Sequence, residues 1–459
     1  MTATIVVLAL VCGVLAGVTV FRGPRLEDAQ VDSSALVEQS GQLRLFANER
    51  VAQVSADRVR VVPAADFTVS TADDVIAVQF DAPLDYATRY SVTIAGVTSV
   101  YDDRASTFRY DFTTDDASPL HLDRADPATE AGGADTIVRT NLKGGLPSVV
   151  YSAPGIQTFA TIGSALAVAG TGADGASGIS LVDPDEPGIV EQLLMPMAGS
   201  IGRMESGDLA GYLLFTMSPA EGRTDQDLLY QVDLTGDHLP TPVLGLDGQT
   251  IDAAEWLLTP EGDRVVVRTA EGSLLLIDLA GGTAPTPLGE YTSLTSVSLD
   301  GTAVTVGDLY GAVALSLQDG SERRLQNSPV NGATPYGGDL QLLSGTPVAE
   351  GGGDFALLPR VQKIASYNPS SGQFDSSVVY DDGSTSRVLY TSTDQQDAIE
   401  SFSVAPNGLY AAVTVTPDLS SSVSDGNAAD PEATSVITYI IDVRTGAQVG
   451  LVSGFDIDW

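Results

Sequence analysis

The hydrophobic pattern of this chain is that of short β-strands separated by turns. Apolar and polar residues alternate over short runs, and each run ends at Asp, Asn, Gly or Pro, which favour turns. Few segments have the apolar spacing of a helix after residue 25. The pattern predicts an all-β protein, and the 47 glycines and 24 prolines agree with this prediction.

A strand that ends in Asp or Asn and leads into a turn with Gly occurs seven times. Most copies lie about 40 to 50 residues apart, which fits one four-stranded propeller blade per repeat. Because Asn or Ser replaces Asp in three copies, we interpret the repeated residue as a turn former in the hairpin between the outer strands. The copies are centred on Asn141, Asp183, Asp233, Asp278, Ser316, Asn368 and Asp442.

A second repeated pattern opens the inner strands of the predicted blades. Trp256, Pro260 and Gly262 have the same spacing as Phe402, Pro406 and Gly408, and 297–306 is a shorter copy. The order of aromatic residue, strand, turn with Pro and Gly, and second strand resembles WD40-like and TolB-like β-propellers. The resemblance implies a propeller fold, and the seven repeats predict about seven blades over 135–459. The expected blades are 156–195, 198–245, 252–290, 293–327, 336–380 and 398–450, with the seventh built from 135–151 and 454–459.

Residues 29–115 alternate as strands of a separate domain. About seven short strands in this range predict a β-sandwich, with Phe80 and Tyr90 between its sheets. The segments 41–48, 60–63, 80–84 and 86–94 resemble the SbsA-type bacterial Ig-like domain of surface-layer and cell-wall proteins. The resemblance implies a spacer or adhesion module. Residues 116–134, which contain His121, lose the alternation and are predicted to be a linker.

The N-terminal residues 1–25 are predicted to be a transmembrane anchor. No charged side chain occurs before Arg22, and the stretch from Ile5 to Phe21 is almost wholly apolar. A cleaved signal peptide is the alternative. Arg22 and Arg25 follow the segment, which by the positive-inside rule favours a cytoplasmic body. We nevertheless expect an extracytoplasmic body at the cell membrane, because the next domain resembles a surface module.

The charge of the chain excludes some partners. With 60 acidic and 22 basic residues the net charge is -38, so nucleic acid and anionic lipid surfaces are poor partners. Arginine supplies nearly all of the positive charge, a usage that resembles actinobacterial proteins. The sole cysteine, Cys12, excludes an intramolecular disulfide, so packing must stabilise the fold.

No complete catalytic or cofactor-binding set is found in the sequence. The two histidines, His121 and His238, are too few for a zinc cluster, and no nucleophile elbow accompanies them. The stretch from Gly170 to Gly175 matches a dinucleotide fingerprint. A strand rather than a helix follows it, so we predict a hairpin turn.

Calcium is a weak candidate ligand, because it needs only oxygen donors. The candidate donors, which lack EF-hand spacing, are Asp183, Asp185, Glu186, Asp225, Asp227, Asp381 and Asp382. Solvated turn carboxylates are the favoured interpretation. A Ser, Asp and Ala-rich insertion at 416–434 is predicted to be a mobile surface loop.

Three functions remain open from the sequence. The favoured one is a membrane-anchored extracytoplasmic binding or scaffold protein whose propeller recognises a protein or a cell-envelope glycan. The alternative is a hydrolase with two catalytic carboxylates in the propeller channel. The third is a purely structural component of the cell envelope. Since propellers host unrelated activities, the fold does not choose among them.

Overall fold

The computed structural model describes residues 23–38, 41–126, 133–144, 146–172, 176–186, 188–207, 211–220, 226–330, 332–346, 355–368, 371–392, 396–427 and 431–459. The chain divides into two compact units, residues 1–117 and 118–459. The predicted membrane anchor falls on residues 1–25, of which 1–22 lie outside the described ranges. Among the described residues, no helix has the length and apolar character needed to cross a membrane.

The described residues of the first unit form seven strands in two sheets. They are β1 (Leu26–Gln30), β2 (Gln42–Ala47), β3 (Val59–Val62), β4 (Phe67–Ala72), β5 (Val75–Phe80), β6 (Arg89–Thr98) and β7 (Ala105–Thr113). One sheet has the order β1-β2-β5-β4 and the other has the order β3-β6-β7. A four-residue helix, α1 (Ala35–Glu38), and a 3-10 turn (Ala56–Arg58) complete the unit.

Alternating side chains of both sheets form the core of this unit. Phe80, at the end of β5, is fully buried, and Tyr90 and Phe112 come from β6 and β7. The rings of Tyr90 and Phe112 stack with centroids 5.7 Å apart. The strands therefore form a two-sheet β-sandwich, in which Phe80 and Tyr90 occupy the positions that the alternation predicts.

The described residues of the second unit form seven sheets that follow one another along the chain, each built on four antiparallel strands. We number them blades 1 to 7. The strands are β8 (Leu120–Asp123), β9 (Asp135–Arg139) and β10 (Ser148–Ala153) in blade 1; β11 (Ile156–Ile162), β12 (Ala165–Thr171), β13 (Ser177–Val182) and β14 (Val190–Gln192) in blade 2; β15 (Gly199–Gly207), β16 (Tyr212–Pro219), β17 (Leu228–Asp233) and β18 (Pro240–Pro242) in blade 3; β19 (Ala253–Leu258), β20 (Arg264–Thr269), β21 (Ser273–Asp278) and β22 (Thr286–Glu290) in blade 4; β23 (Ser293–Val297), β24 (Ala303–Asp308), β25 (Gly311–Ser316) and β26 (Glu322–Leu325) in blade 5; β27 (Tyr336–Leu342), β29 (Arg360–Asn368), β30 (Gln373–Asp381) and β31 (Ser386–Thr391) in blade 6; β32 (Ala398–Val404), β33 (Tyr410–Thr416), β34 (Ile437–Asp442) and β35 (Gln448–Ser453) in blade 7; with β28 (Phe355–Ala356) added parallel to the edge of blade 5 and β36 (Phe455–Asp458) completing blade 1.

The first strands of successive blades contact one another, from β11 through β15, β19 and β23 to β27. The C-terminal β36 contacts β11 and pairs with β8, so blade 1 combines strands from both ends of the unit. On its other side, the indole Nε1 of Trp459 donates to Ser403 Oγ of β32 at 3.1 Å. The unit is therefore a closed seven-bladed β-propeller, as the repeats predict.

The structure differs from the sequence prediction in the range 116–134. The sequence predicts a linker there, but Leu120–Asp123 form β8, the second strand of blade 1. This strand pairs with both β36 and β9. It is only four residues long and lies between segments rich in Asp, Ala and Pro, so its alternation is too short to be recognised. The compact propeller therefore begins at Ser118 rather than at Asp135.

The two repeated patterns occupy equivalent places in most blades. Gly262, Gly301 and Gly408 adopt left-handed φ values of 71°, 66° and 68° in the turns between first and second strands, where a side chain would be strained. The Asp-and-Gly repeat lies between the third and fourth strands of six blades. In blade 6, however, Asn368 lies between the second and third strands. The outer turn of that blade begins at Asp381.

The middle of the insertion in blade 7, residues 416–434, forms a buried contact with blade 1. The sequence predicts a mobile surface loop there. Arg124 Nη1 lies 2.7 Å from Asp425 Oδ2, and both side chains are almost fully buried. Asp425 Oδ1 also accepts the backbone N–H groups of Asn427 and Glu432. The composition of the insertion does not indicate this ion pair, because Arg124 lies far away in sequence, in the range predicted to be a linker.

Candidate functional site

The first strand of every blade faces the propeller axis, and each is irregular. Where a first strand pairs with the second strand of its blade, the register shifts once, as at a β-bulge. A bulge adds a residue on one strand and redirects its side chain. Arg203 in β15, Asp339 in β27 and Glu400 in β32 lie at these shifts. The register shifts therefore place the charged side chains of Arg203, Asp339 and Glu400 on the strands that face the propeller axis.

These three charged residues line a cavity of about 670 Å³ in the propeller channel. The walls come from the first strands of blades 3 to 7, with leucines and Phe402 beside several hydroxyl groups. The charged lining consists of four carboxylates and one guanidinium: Glu205, Glu255, Asp339, Glu400 and Arg203. The cavity is large enough for a small molecule or an extended side chain, and it favours a cationic group.

Two of the four carboxylates have structural partners. Glu205 forms an ion pair with Arg203. Glu255 Oε2 accepts a hydrogen bond from Arg268 Nε at 2.6 Å and another from the backbone N–H of Leu294 at 2.7 Å. These contacts stabilise the strands around the cavity, and they compensate the negative charge of both carboxylates.

Asp339 and Glu400 differ from these two residues. Both are exposed, and neither forms an ion pair or side-chain hydrogen bond with another residue in the described part of the chain. Lys363, on the strand paired with β27, donates from Nζ to the carbonyl of Ile399 at 2.6 Å. The lysine therefore contacts backbone rather than either carboxylate. Among the charged residues of the cavity lining, the carboxylates of Asp339 and Glu400 are therefore the ones without a partner in the described part of the chain.

Neither residue was predicted as a site residue from the sequence. The only signal is the pair Gly337 and Gly338 before Asp339, because glycine inside a strand often marks a bulge. Glu400 has no comparable signal, since its neighbours form an ordinary strand pattern. The bulge depends on the pairing register with the second strand, which the sequence of one strand does not specify.

The predicted calcium candidates lie in separate places. Asp183 Oδ1 accepts the backbone N–H of Asp185 at 2.9 Å, within its own turn. Asp227 Oδ1 accepts the hydroxyl of Ser218 at 2.6 Å. In the parts of the chain that the structure describes, which include Glu186 but not Asp225, no three ligating side chains gather. Calcium binding stays a prediction.

Asp381 and Asp382 have different environments although they are adjacent. Asp381 is buried and pairs with Arg360 Nη2 at 2.7 Å, and it also accepts the amide and hydroxyl of Ser328. Asp382 accepts hydrogen bonds within its turn. Burial opposes ionisation of Asp382, but these bonds from Thr385 and Ser384 lower its pKa to about 2. Asp381 stabilises blade 6, and Asp382 stabilises the turn that follows it.

The two histidines are not among the residues that line the cavity. His121 lies on β8, is 4% exposed, and its Nδ1 has no hydrogen-bond partner among the described residues. Burial lowers the pKa of His121 to about 4. His238 Nδ1 lies 2.9 Å from Glu191 Oε1, and this hydrogen bond raises the pKa of His238.

The glycine-rich stretch from Gly170 lies in a hairpin, as predicted. β12 and β13 on either side of it pair antiparallel, with Thr171 opposite Ser177. Residues 173–175 lie outside the described ranges. A phosphate-binding helix does not follow this strand, so the stretch lacks the geometry of a dinucleotide site.

No protein-family model matches this chain, and no curated protein matches it. Among solved structures, it is similar to dihydro-heme d1 dehydrogenase NirN, with 12% identity, 74% of each chain covered and a TM-score of 0.42. It is also similar to TolB from Acinetobacter baumannii, with 13% identity over 87% of this chain and 81% of that chain, and a TM-score of 0.36. The β-propeller domain of the Trilobed protease from Pyrococcus furiosus has 9% identity over 76% and 93% of the chains, with a TM-score of 0.42. Because these TM-scores lie below 0.5, none of these proteins suggests a function for this chain.

Proposed function

We propose that this chain is a membrane-anchored, extracytoplasmic binding or scaffold protein whose recognition surface is the propeller channel. The observation that carries the proposal is the presence of Asp339 and Glu400 on bulged first strands in one cavity, without partners among the described residues. Unpaired carboxylates in a preformed cavity supply polar contacts to a ligand with little reorganisation. The ligand belongs to the protein or cell-envelope glycan class.

The order of segments supports the location in this proposal. An apolar stretch precedes a sandwich that resembles the SbsA-type Ig-like domain, and the propeller follows. In this arrangement the N-terminal segment anchors the chain, the sandwich acts as a spacer and the propeller presents its channel at the cell surface. The net charge of -38 keeps such a surface soluble and repels anionic lipid.

A hydrolase is the second candidate, and one observation favours it. Asp339 and Glu400 lie in the same cavity, and a pair of carboxylates is the catalytic set of most glycosidases. In this alternative, one carboxyl group would protonate the leaving oxygen while the other acts as base or nucleophile. Both proposed functions therefore depend on the same two residues. A measurement of substrate turnover is needed to distinguish a hydrolase from a binding protein.

The experiment uses the full chain, purified in detergent micelles and applied to peptide and cell-envelope glycan arrays. We expect at least one ligand class to bind, and Asp339→Asn with Glu400→Gln to weaken that binding about tenfold. Glu290→Gln is the matched control, since Glu290 is exposed on the outermost strand of blade 4. Binding that the channel substitutions leave unchanged would contradict the proposal. Turnover of a bound glycan, lost in the same variant, would favour the hydrolase.

A further inference from the structure

The topology places two sets of connections at one end of the propeller. Since the strands of a blade alternate in direction, the connections between second and third strands lie at the same end as those between successive blades. We call this end, where the seven first strands begin, the upper face. Its connections carry exposed apolar side chains, including Leu194, Leu246, Leu309 and Tyr310, each more than 60% exposed. Large exposed apolar groups often mark an interaction surface.

Three exposed aromatic rings of blade 6 contact one another on this face. We call Tyr336, Tyr367 and Phe374 the aromatic group. Their exposed fractions are 70%, 53% and 48%, yet Phe374 packs edge-on against Tyr336 at 5.8 Å and against Tyr367 at 5.6 Å between centroids. The contacts hold the rings in place while much of their surface stays open to solvent. A preordered aromatic surface binds a partner with little loss of side-chain entropy.

The aromatic group does not itself line the cavity, but β27 carries both Tyr336 and the lining residue Asp339. Tyr336 is the first residue of β27, and Asp339 follows at its bulge. Three residues of strand span about 10 Å. An extended peptide of about four residues can therefore contact both Tyr336 and Asp339. Asp375, next to Phe374 on β30, accepts a hydrogen bond from Asn368 Nδ2 at 2.8 Å on the opposite face of the hairpin from the rings. The carboxylate nearest to the rings along β27 is therefore that of Asp339.

Charge indicates which partner fits this surface. The cavity lining has four carboxylates against one guanidinium, and Arg203 is already paired with Glu205. A second copy of the chain would bring another 38 negative charges, and an anionic membrane would be repelled as well. The complementary partner carries both cationic and apolar side chains.

We propose that the aromatic group and the adjoining part of the channel around Asp339 and Glu400, which we call the channel mouth, bind a basic, partly apolar segment of a partner polypeptide. A lysine or arginine of the segment forms ion pairs with Asp339 and Glu400, and its apolar or cationic neighbours pack on the rings. The proposal rests on the proposed function, because it assigns a ligand class to the same cavity. It also adds blade 6 as the part of the upper face that determines specificity.

The test measures fluorescence anisotropy of a labelled peptide of Gly-Lys-Leu repeats with the full chain in detergent micelles. The matched probe is the same peptide with Glu in place of Lys. We expect the Lys peptide alone to bind, and Tyr336→Ser with Phe374→Ser to weaken it about tenfold. Asp339→Asn with Glu400→Gln should have a comparable effect and remove most of the salt dependence. Leu309→Ser with Tyr310→Ser, on blade 5 of the same face, is the control expected to keep the wild-type affinity.

Equal binding of both peptides, or full affinity in the blade 6 variant, would overturn this inference. Binding of a neutral glycan that Asp339→Asn with Glu400→Gln abolishes, without binding of the Lys peptide, would also overturn it but leave the proposed function standing. Absence of any ligand sensitive to the channel substitutions would overturn both. Since all six substituted side chains are exposed, circular dichroism should show that the three double variants keep the β-fold.

Discussion

The guanidinium of Arg124 lies 2.7 Å from the carboxylate of Asp425, and this buried pair joins blade 1 to the insertion of blade 7. Arg124 also donates to the carbonyls of Ile156 and Gln157, and its Cζ lies 4.7 Å from the ring centroid of Phe455. The two ends of the propeller sequence are therefore joined twice, once by β36 and once by this pair. Closure of the ring depends on side chains as well as on strand pairing.

Breaking the pair from one side should destabilise the propeller strongly. Arg124→Met leaves a buried carboxylate without its partner, so we expect the free energy of unfolding to fall by about 3–5 kcal/mol. Urea unfolding followed by tryptophan fluorescence measures this, because Trp256 and Trp459 both lie in the propeller. The double variant with Asp425→Asn should be little worse than either single variant. A loss below about 1 kcal/mol would indicate a weak, solvated pair instead.

Adjacent aspartates in blade 6 should respond differently to the same substitution. Asp381→Asn removes the charge that compensates the fully buried Arg360, and we expect a loss of about 3–5 kcal/mol. Asp382→Asn keeps an acceptor in an exposed turn, so its effect should be within about 1 kcal/mol. Urea midpoints of the two variants provide the comparison. Equal losses would contradict the assigned roles.

Removing the C-terminal strand should open the ring. Deletion of residues 454–459 exposes the edge of β8 and removes buried Phe455 from the core of blade 1. We expect lower thermal stability and concentration-dependent association, because an unpaired edge accepts strands from other chains. Size-exclusion chromatography with light scattering detects this association. A truncated chain that stays monomeric at the wild-type melting temperature would contradict closure through β36.

His121 should make the propeller sensitive to acid. Its pKa falls from 6.5 to about 4 on burial, so between these values the unfolded chain binds the extra proton. The neutral His121 therefore contributes fully to the free energy of unfolding above pH 6.5. This contribution, at most about 3 kcal/mol, is lost as the pH falls toward 4. His121→Met, which does not titrate, should show a smaller loss than the wild type over this range. Identical pH profiles would show that His121 is protonated without cost.

Much of the propeller could be predicted from the sequence, because its turns have chemical requirements. Gly262 and Gly408 occupy left-handed φ values that other residues avoid, so their spacing reports blade positions directly. β8 could not be predicted in this way, since it becomes a strand only by pairing with β36 and β9. In blade 6, Asn368 has the sequence pattern of the repeat but lies between the second and third strands. Asp381 ends the third strand, where the repeat lies in the other blades, and a turn of different sequence follows it.

The candidate site could not be predicted for a related reason. Asp339 and Glu400 are far apart in sequence and line one cavity only because the first strands of five blades surround it. Their exposure depends on bulges, which arise from the register between strands rather than from local composition. The alternation of polar and apolar residues along β27 or β32 therefore does not identify either carboxylate as a site residue.

Hydrogen–deuterium exchange of the full chain in detergent micelles, with and without the Gly-Lys-Leu peptide, tests the central claim most directly. Recognition at the channel mouth predicts slower exchange of the backbone amides of 336–340 and 398–402, with little change in the sandwich or the outer strands. Protection confined to the sandwich or to the outermost strands of the blades would contradict recognition through the propeller channel.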